Sequence, residues 1–238
     1  MEIWHGYQAE KFKFLDRDAI IVFPKEKKAG VPFALKTEYW GAFPQVELAL
    51  LERGIPLAWV QNTSRFATKE DSDVKAQFVA YLSKTYHLLE KCIPIGMSCG
   101  GAHAINFAGD YPHLIHRIFI DAPVLNFMSF PAKHDFEKIW EQEFKKAYPG
   151  IGRHQLLNFE RHPINKAPIL LEKKIPIIMV WGTEDQTVPY EENGALLEEA
   201  FAGSNLLKVI KVSCRGHHPH GLLGDQSEIV DFLLEALE

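Results

Sequence analysis

A Gly-x-Ser-x-Gly motif at residues 96–100, with Ser98 at its centre, is the feature that most constrains the fold of this chain. It directly follows a short apolar run at residues 92–95 and directly precedes an alanine-rich stretch typical of a helix. A serine in a strained strand-to-helix turn needs glycine two positions before and after it, because side chains there would collide with neighbouring backbone. The context therefore predicts a nucleophile elbow that projects the hydroxyl of Ser98 away from a sheet.

The same turn would place the backbone N–H of Cys99 at a helix N-terminus, where it can donate a hydrogen bond to a developing oxyanion. Motifs of this length also occur by chance. In that alternative interpretation, Gly100 and Gly101 only allow a helix to pack closely on a strand. The residues downstream favour the elbow, because a site of this type places its acid and then its histidine after later strands, and both are present.

Asp185 is the acid candidate, in a polar turn after the continuous apolar run at residues 175–181. Such a run is typical of a buried parallel strand, and open α/β sheets gather their functional groups at the carboxyl ends of these strands. Two rivals stay open: the adjacent Glu184, and Asp121 at the end of the preceding strand. A structural role for Asp185 in the turn ahead of the helix that starts near Tyr190 is a further alternative.

Three histidines crowd the loop after the last predicted strand, which covers residues 206–212. We predict His217 as the general base, because it follows a glycine at the first bend after the strand. His218 stays open as a competitor, although the proline after it favours an extended backbone. In this assignment His217 accepts the proton of Ser98, and Asp185 holds the imidazole in the right tautomer.

The third histidine, His220, could instead form a zinc site with His217, His218 and Cys214, since imidazole and thiolate are good zinc ligands. Adjacent histidines in one loop rarely converge on a single ion, and the remaining histidines are scattered singly along the chain. The sequence therefore predicts neither a metal nor an organic cofactor.

Length and composition indicate one α/β domain over residues 1–238, with 47% hydrophobic content. The net charge is −5, and lysine and arginine are dispersed, which argues against nucleic acid or an anionic membrane as partner. No apolar segment reaches the roughly 18 residues of a membrane span, and the amino terminus lacks the pattern of a signal peptide. We expect a cytoplasmic protein with three reduced cysteines; assembly into a homo-oligomer stays open.

Apolar periodicity predicts strands that alternate with helices, joined by short links. This alternation favours a mainly parallel twisted sheet with helices on both faces. An antiparallel pair comes first, at residues 11–15 and 18–23. The later predicted strands lie near residues 32–36, 55–60, 92–95, 117–121, 175–181 and 206–212. The predicted helices lie near residues 44–53, 74–89, 99–110, 191–202 and 225–237.

Residues 124–170 interrupt the alternation, because they contain no convincing strand. They do contain an amphipathic segment near residues 136–148, closed by a Pro-Gly pair. We predict a small helical cap insertion over the mouth of the site; a helix packed flat on the sheet edge is the alternative. The side chains considered for an apolar pocket are Phe127, Met128, Phe130, Trp140 and Phe159.

The order Ser98, Asp185, His217 resembles the α/β-hydrolase superfamily over essentially the whole chain. More narrowly, the elbow and the segments at residues 33–54, 121–123 and 217–222 look like a bacterial group of prolyl-oligopeptidase-like serine hydrolases and esterases. The resemblance implies an α/β-hydrolase fold without metal or organic cofactor.

A second oxyanion donor is also implied, from the loop after the third strand, which corresponds to residues 37–41. The backbone N–H of Glu38 or Tyr39 is the expected donor, although the loop departs from the common His-Gly form of the superfamily. Peptide-cleaving relatives usually carry a large propeller domain, for which this chain has no length.

The implied reaction is therefore hydrolysis of a small carboxylic ester, such as an acylated carbohydrate, through an acyl-Ser98 intermediate. Two other functions stay open. One is a small serine peptidase, in which Glu38 would bind the amino group of the substrate. The other is a catalytically silent hydrolase fold that serves as a binding module.

Overall fold

A computed structural model of the chain describes residues 2–28, 30–129, 140–218 and 224–235. The strands in these ranges are β1 (Glu2–Trp4), β2 (Tyr7–Phe14), β3 (Arg17–Phe23), β4 (Phe33–Lys36), β5 (Leu57–Val60), β6 (Cys92–Met97), β7 (Ile118–Asp121), β8 (Ile177–Gly182) and β9 (Leu207–Val212). The α-helices are α1 (Gln45–Glu52), α2 (Lys69–Tyr86), α3 (Cys99–Asp110), α4 (Lys145–Ala147), α5 (Ala167–Glu172), α6 (Gly194–Ala200) and α7 (Ser227–Leu234). A π-helical turn, Trp140–Phe144, leads directly into α4.

The strands form one sheet in the order β1-β2-β3-β5-β4-β6-β7-β8-β9. The strands β1, β2, β3 and β5 pair antiparallel, and every pairing from β5 through β4 to β9 is parallel. The predicted mainly parallel sheet is confirmed. Because β6, β7, β8 and β9 run in the same direction, the loops after them meet at one edge of the sheet.

Helices cover both faces of the sheet, as the alternating pattern predicts. One face packs against α1 and α7 through side chains such as Leu50 and Leu233. The other packs against α2 and α3 through side chains such as Phe78 and Phe107. Strands buried on both faces need continuous apolar runs, which explains the sequences of β6 and β8. None of the helices in the described ranges is both long enough and apolar enough to cross a bilayer.

The structure differs from the sequence prediction mainly at element ends. The edge strand β1 was not expected, and β2 begins at Tyr7 rather than at residue 11. Helix α2 ends at Tyr86, although apolar spacing continues to residue 89. His87 has a φ of +55° and therefore stops the helix in a left-handed conformation. A three-residue edge strand carries too little periodicity to be recognised from sequence alone.

Candidate active site

Ser98 lies in the turn between β6 and α3, with a φ of +53° and a ψ of −121°. Such a backbone is strained for a residue with a side chain and persists only where its surroundings hold it. Ser98 N–H donates to the carbonyl of Asp121 on β7 at 2.9 Å, and Ser98 C=O accepts from the amides of Val124 at 2.9 Å and Gly101 at 3.0 Å. The neighbouring strand thus holds the serine in the elbow conformation.

The glycines around Ser98 are required by close backbone contacts. A Cβ on Gly96 would overlap the carbonyl of Gly100, and a Cβ on Gly101 would overlap Pro123. At Gly100 the contact is milder, because a Cβ would lie 3.1 Å from Cβ of Glu38. The glycines therefore serve both the elbow and close packing. Gly96 permits the turn, and Gly101 permits the close approach of α3 to the segment after β7.

His217 and Asp185 are in hydrogen-bond contact, with His217 Nδ1 at 2.7 Å from Asp185 Oδ2. The other carboxylate oxygen of Asp185 accepts from the amides of Thr187 at 2.8 Å and Val188 at 3.0 Å. Asp185 is buried, whereas the rival Glu184 is exposed. Two backbone donors thus fix the carboxylate of Asp185 so that its second oxygen faces the imidazole, which is how an acid selects the tautomer of a general base.

The loops that carry this pair are joined by their backbones. Glu184 N–H donates to the carbonyl of Arg215 at 2.8 Å, and the amide of Cys214 donates to the hydroxyl of Thr183 at 3.1 Å. Gly182 lies against the same loop, and a Cβ there would overlap the carbonyls at residues 215 and 216. Close packing of the loops after β8 and β9 therefore brings Asp185 and His217 together. Ser98 lies at the same edge of the sheet, two strands away from Asp185.

A second histidine–aspartate pair lies beside the first. His218 Nδ1 is 3.4 Å from Asp121 Oδ2, and the ring centroids of His217 and His218 are 3.8 Å apart. The expected extended backbone at His218 is wrong, because its φ is +60°; packing between the two rings overrides the local preference before proline. Among the described residues, no three histidine, cysteine or acidic side chains are placed to share a metal ion. His220 lies outside them.

The three candidate oxyanion donors lie close together around the elbow. Cys99 is the first residue of α3, where a backbone N–H has no acceptor within the helix. The loop after β4 is fixed to the elbow by Thr37, whose hydroxyl donates to the carbonyl of Gly100 at 2.7 Å. A Cβ on Gly100 would lie 3.6 Å from the backbone nitrogen of Glu38.

Tyr39 adds a group that sequence reasoning did not consider, its phenolic hydroxyl. Burial raises the pKa of Tyr39 far above its usual value, and contact with the thiol of Cys99 adds to the effect. Burial likewise raises the pKa of Cys99 to about 11, so both groups are neutral donors at pH 7. The hydroxyl of Tyr39 therefore lies beside Cys99.

A cleft of about 870 Å³ opens beside Tyr39. Charged groups of both signs line it, including Glu38, Arg65 and Glu143. Burial raises the pKa of Glu38, against the hydrogen bond from Asn62 and the charge of Lys75. The polar residues behind Glu38, namely the half-buried Asn62 and the buried Lys75 and His103, were not assigned from sequence, because no local motif marks them.

The described part of the expected cap region packs onto the loop after β5. Phe144 is buried, with its ring centroid 5.0 Å from that of Phe66 and 6.0 Å from that of Phe127. An ion pair joins Arg65 to Glu143. Of the side chains considered for an apolar pocket, Phe127 and Phe159 belong to this aromatic cluster and Met128 is exposed. Phe130 and the side chain of Trp140 lie outside the described part of the chain.

No protein-family model and no curated protein matches the sequence. Solved structures do match it. A prolyl endopeptidase superposes with a TM-score of 0.72 at 15% identity, over 97% of this chain and 39% of the other. An S-formylglutathione hydrolase from Agrobacterium tumefaciens gives a TM-score of 0.66 at 15% identity, over 98% of this chain and 95% of the other. Est1E from Butyrivibrio proteoclasticus gives a TM-score of 0.67 at 15% identity, over 96% of this chain and 98% of the other.

The chain thus spans about two fifths of the prolyl endopeptidase and nearly the whole of the two shorter proteins. Structural matches at 15% sequence identity show that the fold is shared, but they do not identify the substrate. The chain has the α/β-hydrolase fold.

Proposed function

We propose that the chain is a serine hydrolase that cleaves a small carboxylic ester through a Ser98, His217 and Asp185 triad. The observation that carries the proposal is the 2.7 Å contact between His217 and Asp185 at the sheet edge where the strained Ser98 also lies. A serine nucleophile and an oriented imidazole base are two of the groups that acyl transfer requires, beside the oxyanion donors.

In the proposed reaction, His217 Nε2 takes the proton of Ser98 as Oγ attacks the ester carbonyl. The tetrahedral intermediate collapses to acyl-Ser98, the carbonyl–oxygen bond to the alcohol breaks, and His217 returns the proton to the leaving alcohol. Water then attacks the acyl group with His217 again acting as base, which releases the acid and restores Ser98. Asp185 stabilises the imidazolium in both steps.

The negative charge on the carbonyl oxygen would be met by two donors. The first is Cys99 N–H, and the second comes from the loop at residues 37–41. The expected second donor is the backbone N–H of Glu38 or of Tyr39. The Tyr39 hydroxyl is an additional donor in our proposal, because it lies beside Cys99. An acylated carbohydrate is the substrate class we place first, on the resemblance alone.

A serine-directed fluorophosphonate tests the proposal. Intact-protein mass spectrometry should show one adduct on the wild type, none on Ser98→Ala and strongly slowed labelling of His217→Ala. His113→Ala, which alters an exposed histidine, is the matched control and should label like the wild type. An unlabelled wild type would remove the enzyme hypothesis and favour a binding module.

A peptidase is the second candidate, because Glu38 lines the cleft with 22% of its side chain exposed. A carboxylate at that place could bind the ammonium group of an aminoacyl substrate. The test compares an ester and an anilide that share one aminoacyl group. Cleavage of the anilide that is lost in Glu38→Gln would support the peptidase; cleavage of the ester without detectable cleavage of the anilide supports the esterase.

A further inference from the structure

The loop at residues 37–43 is strained at two residues that carry side chains. Tyr39 has a φ of +53° and Phe43 a φ of +46°. Side chains disfavour this left-handed region, so the conformation persists only where the surroundings hold it. Two buried lysines contact the loop or its hydrogen-bond partners, one from each side, and neither takes part in the proposed reaction.

Lys36 contacts the loop from the side of helix α1. It ends β4, and only 2% of its surface is exposed. Its Nζ donates to the carbonyl of Ala42 at 3.2 Å and to the carboxylate of Glu47 on α1. One ammonium thus joins the beginning of the loop to its end and anchors both to a helix. The paired carboxylate is itself buried, so this side is a structural ion pair.

Lys75 on α2 lies on the second side and is 1% exposed. An ammonium has three N–H donors, and here each has an acceptor: Asn62 Oδ1, the carbonyl of Asp71 at 3.3 Å and His103 Nδ1 at 3.3 Å. His103 Nε2 is 2.8 Å from the carbonyl of Ser64 and donates to it. Burial and the charge of Lys75 lower the pKa of His103 well below its usual value, so the ring is neutral and its Nδ1 accepts.

Asn62 transmits this arrangement to the loop. Because its oxygen accepts from Lys75, its amide nitrogen faces the other way. That nitrogen donates to the carbonyl of Thr37 at 2.6 Å and to the carboxylate of Glu38. The hydroxyl of Thr37 in turn donates to Gly100 in the elbow helix. A continuous chain of hydrogen bonds therefore runs from the buried ammonium through the loop to the elbow.

We infer that Lys75, acting through Asn62, is a positioning residue that holds residues 37–43 in the conformation that presents the second oxyanion donor. The inference rests on the proposed function, since only acyl transfer forms the oxyanion. Burying a lysine is unfavourable unless every donor is satisfied. Donors held in place before the reaction need no reorganisation in the transition state, which is where such an arrangement accelerates catalysis.

The protonation of Lys75 gives this role a pH dependence. Burial lowers the pKa of Lys75 to about 8, opposed by Asp71 and Glu38 and assisted by the nearby positive charge of Arg17. His103 faces the ammonium as well but is neutral. As the pH rises through this value, Lys75 loses its charge and one donor. We expect kcat to fall there while KM changes little, because the loop acts on the transition state.

Steady-state kinetics on p-nitrophenyl butyrate from pH 6 to 10 test the inference. The variants are Lys75→Met and Asn62→Ala, and the matched control is Lys166→Met, which removes a half-buried lysine paired with Asp110. Both loop variants should lose roughly 10- to 100-fold in kcat at pH 7, the size expected for a misplaced catalytic group. Their KM should stay within about threefold of the wild type. The alkaline decline of the wild type near pH 8 should be absent from Lys75→Met.

A Lys75→Met enzyme with the kcat and the pH profile of the wild type overturns the inference. Circular dichroism checks that each variant folds. If Lys75→Met does not fold, the kcat of Asn62→Ala and the pH profile of the wild type test the inference instead. A wild-type kcat that stays constant between pH 7 and 10 would then overturn it. A wild type that neither hydrolyses the ester nor labels at Ser98 instead rejects the proposed function.

Discussion

Two buried aspartates at the sheet edge differ in how their carboxylates are held. Asp185 accepts two backbone amides on one oxygen and contacts His217 at 2.7 Å through the other. Asp121 lies on β7 itself, and its contact with His218 is longer, at 3.4 Å. The shorter contact and the fixed carboxylate favour Asp185 as the acid of the proposed triad.

Replacing each aspartate by asparagine should separate their roles. Asp185→Asn would present an amide to His217 and favour the wrong tautomer, so we expect kcat to fall by roughly 10³- to 10⁴-fold. Asp121→Asn should reduce kcat by about tenfold or less, because the amide keeps its shape beside His218. The kcat of each variant is measured by ester hydrolysis. A larger loss in Asp121→Asn than in Asp185→Asn would assign the acid to Asp121.

The partners of several single residues could not be predicted from local sequence. The choice of His217 over His218 relied on local bends, and the expected extended backbone at His218 was wrong. Which histidine meets which aspartate depends on how two loops pack, and no pattern within either loop contains that information. Asn62 and Lys75 were missed for the same reason, since their partners are distant in the chain.

At the scale of elements, helix α3 approaches the segment after β7 so closely that only glycine fits at residue 101. In an exposed helix, alanine would normally be favoured over glycine by up to about 1 kcal/mol. Here a Cβ would overlap Pro123, so the steric conflict outweighs the helix propensity. The elbow therefore depends on a contact between elements as well as on its own turn.

Gly101→Ala should consequently destabilise the protein. We expect the free energy of unfolding to fall by about 1–3 kcal/mol, the usual range for overpacking. Urea denaturation followed by circular dichroism measures it. Gly224→Ala is the control, because a Cβ there has open space, and it should remain near the wild type. A Gly101→Ala variant as stable as the wild type would contradict this account of the elbow.

At the scale of the whole molecule, the described part of the expected cap region shares the core of the sheet. Phe144 is 1% exposed and contacts Phe66 from the loop after β5 and Phe127 from the segment after β7. The ion pair between Arg65 and Glu143 lies at the edge of the neighbouring cleft. We therefore expect this segment to unfold together with the sheet.

Phe144→Ala tests this expectation. Loss of a buried phenylalanine should lower the free energy of unfolding by about 3–5 kcal/mol, within one cooperative transition. Leu157→Ala is the control in the same region, because that side chain is 73% exposed, and it should change stability by no more than about 0.5 kcal/mol. Equal effects of the two substitutions would show that the segment does not share the core.

Local sequence was sufficient for the elbow at Ser98, for the alternation of strands and helices, and for the positions of Asp185 and His217 after later strands. These features follow from glycine sterics and apolar periodicity, which act over a few residues. Tertiary structure decided between the pairings that the sequence left open, because His217 contacts Asp185 and His218 contacts Asp121. It alone showed that Lys75 reaches the loop after β4 through Asn62. Those contacts join side chains from separate elements, so they exist only once the elements have packed.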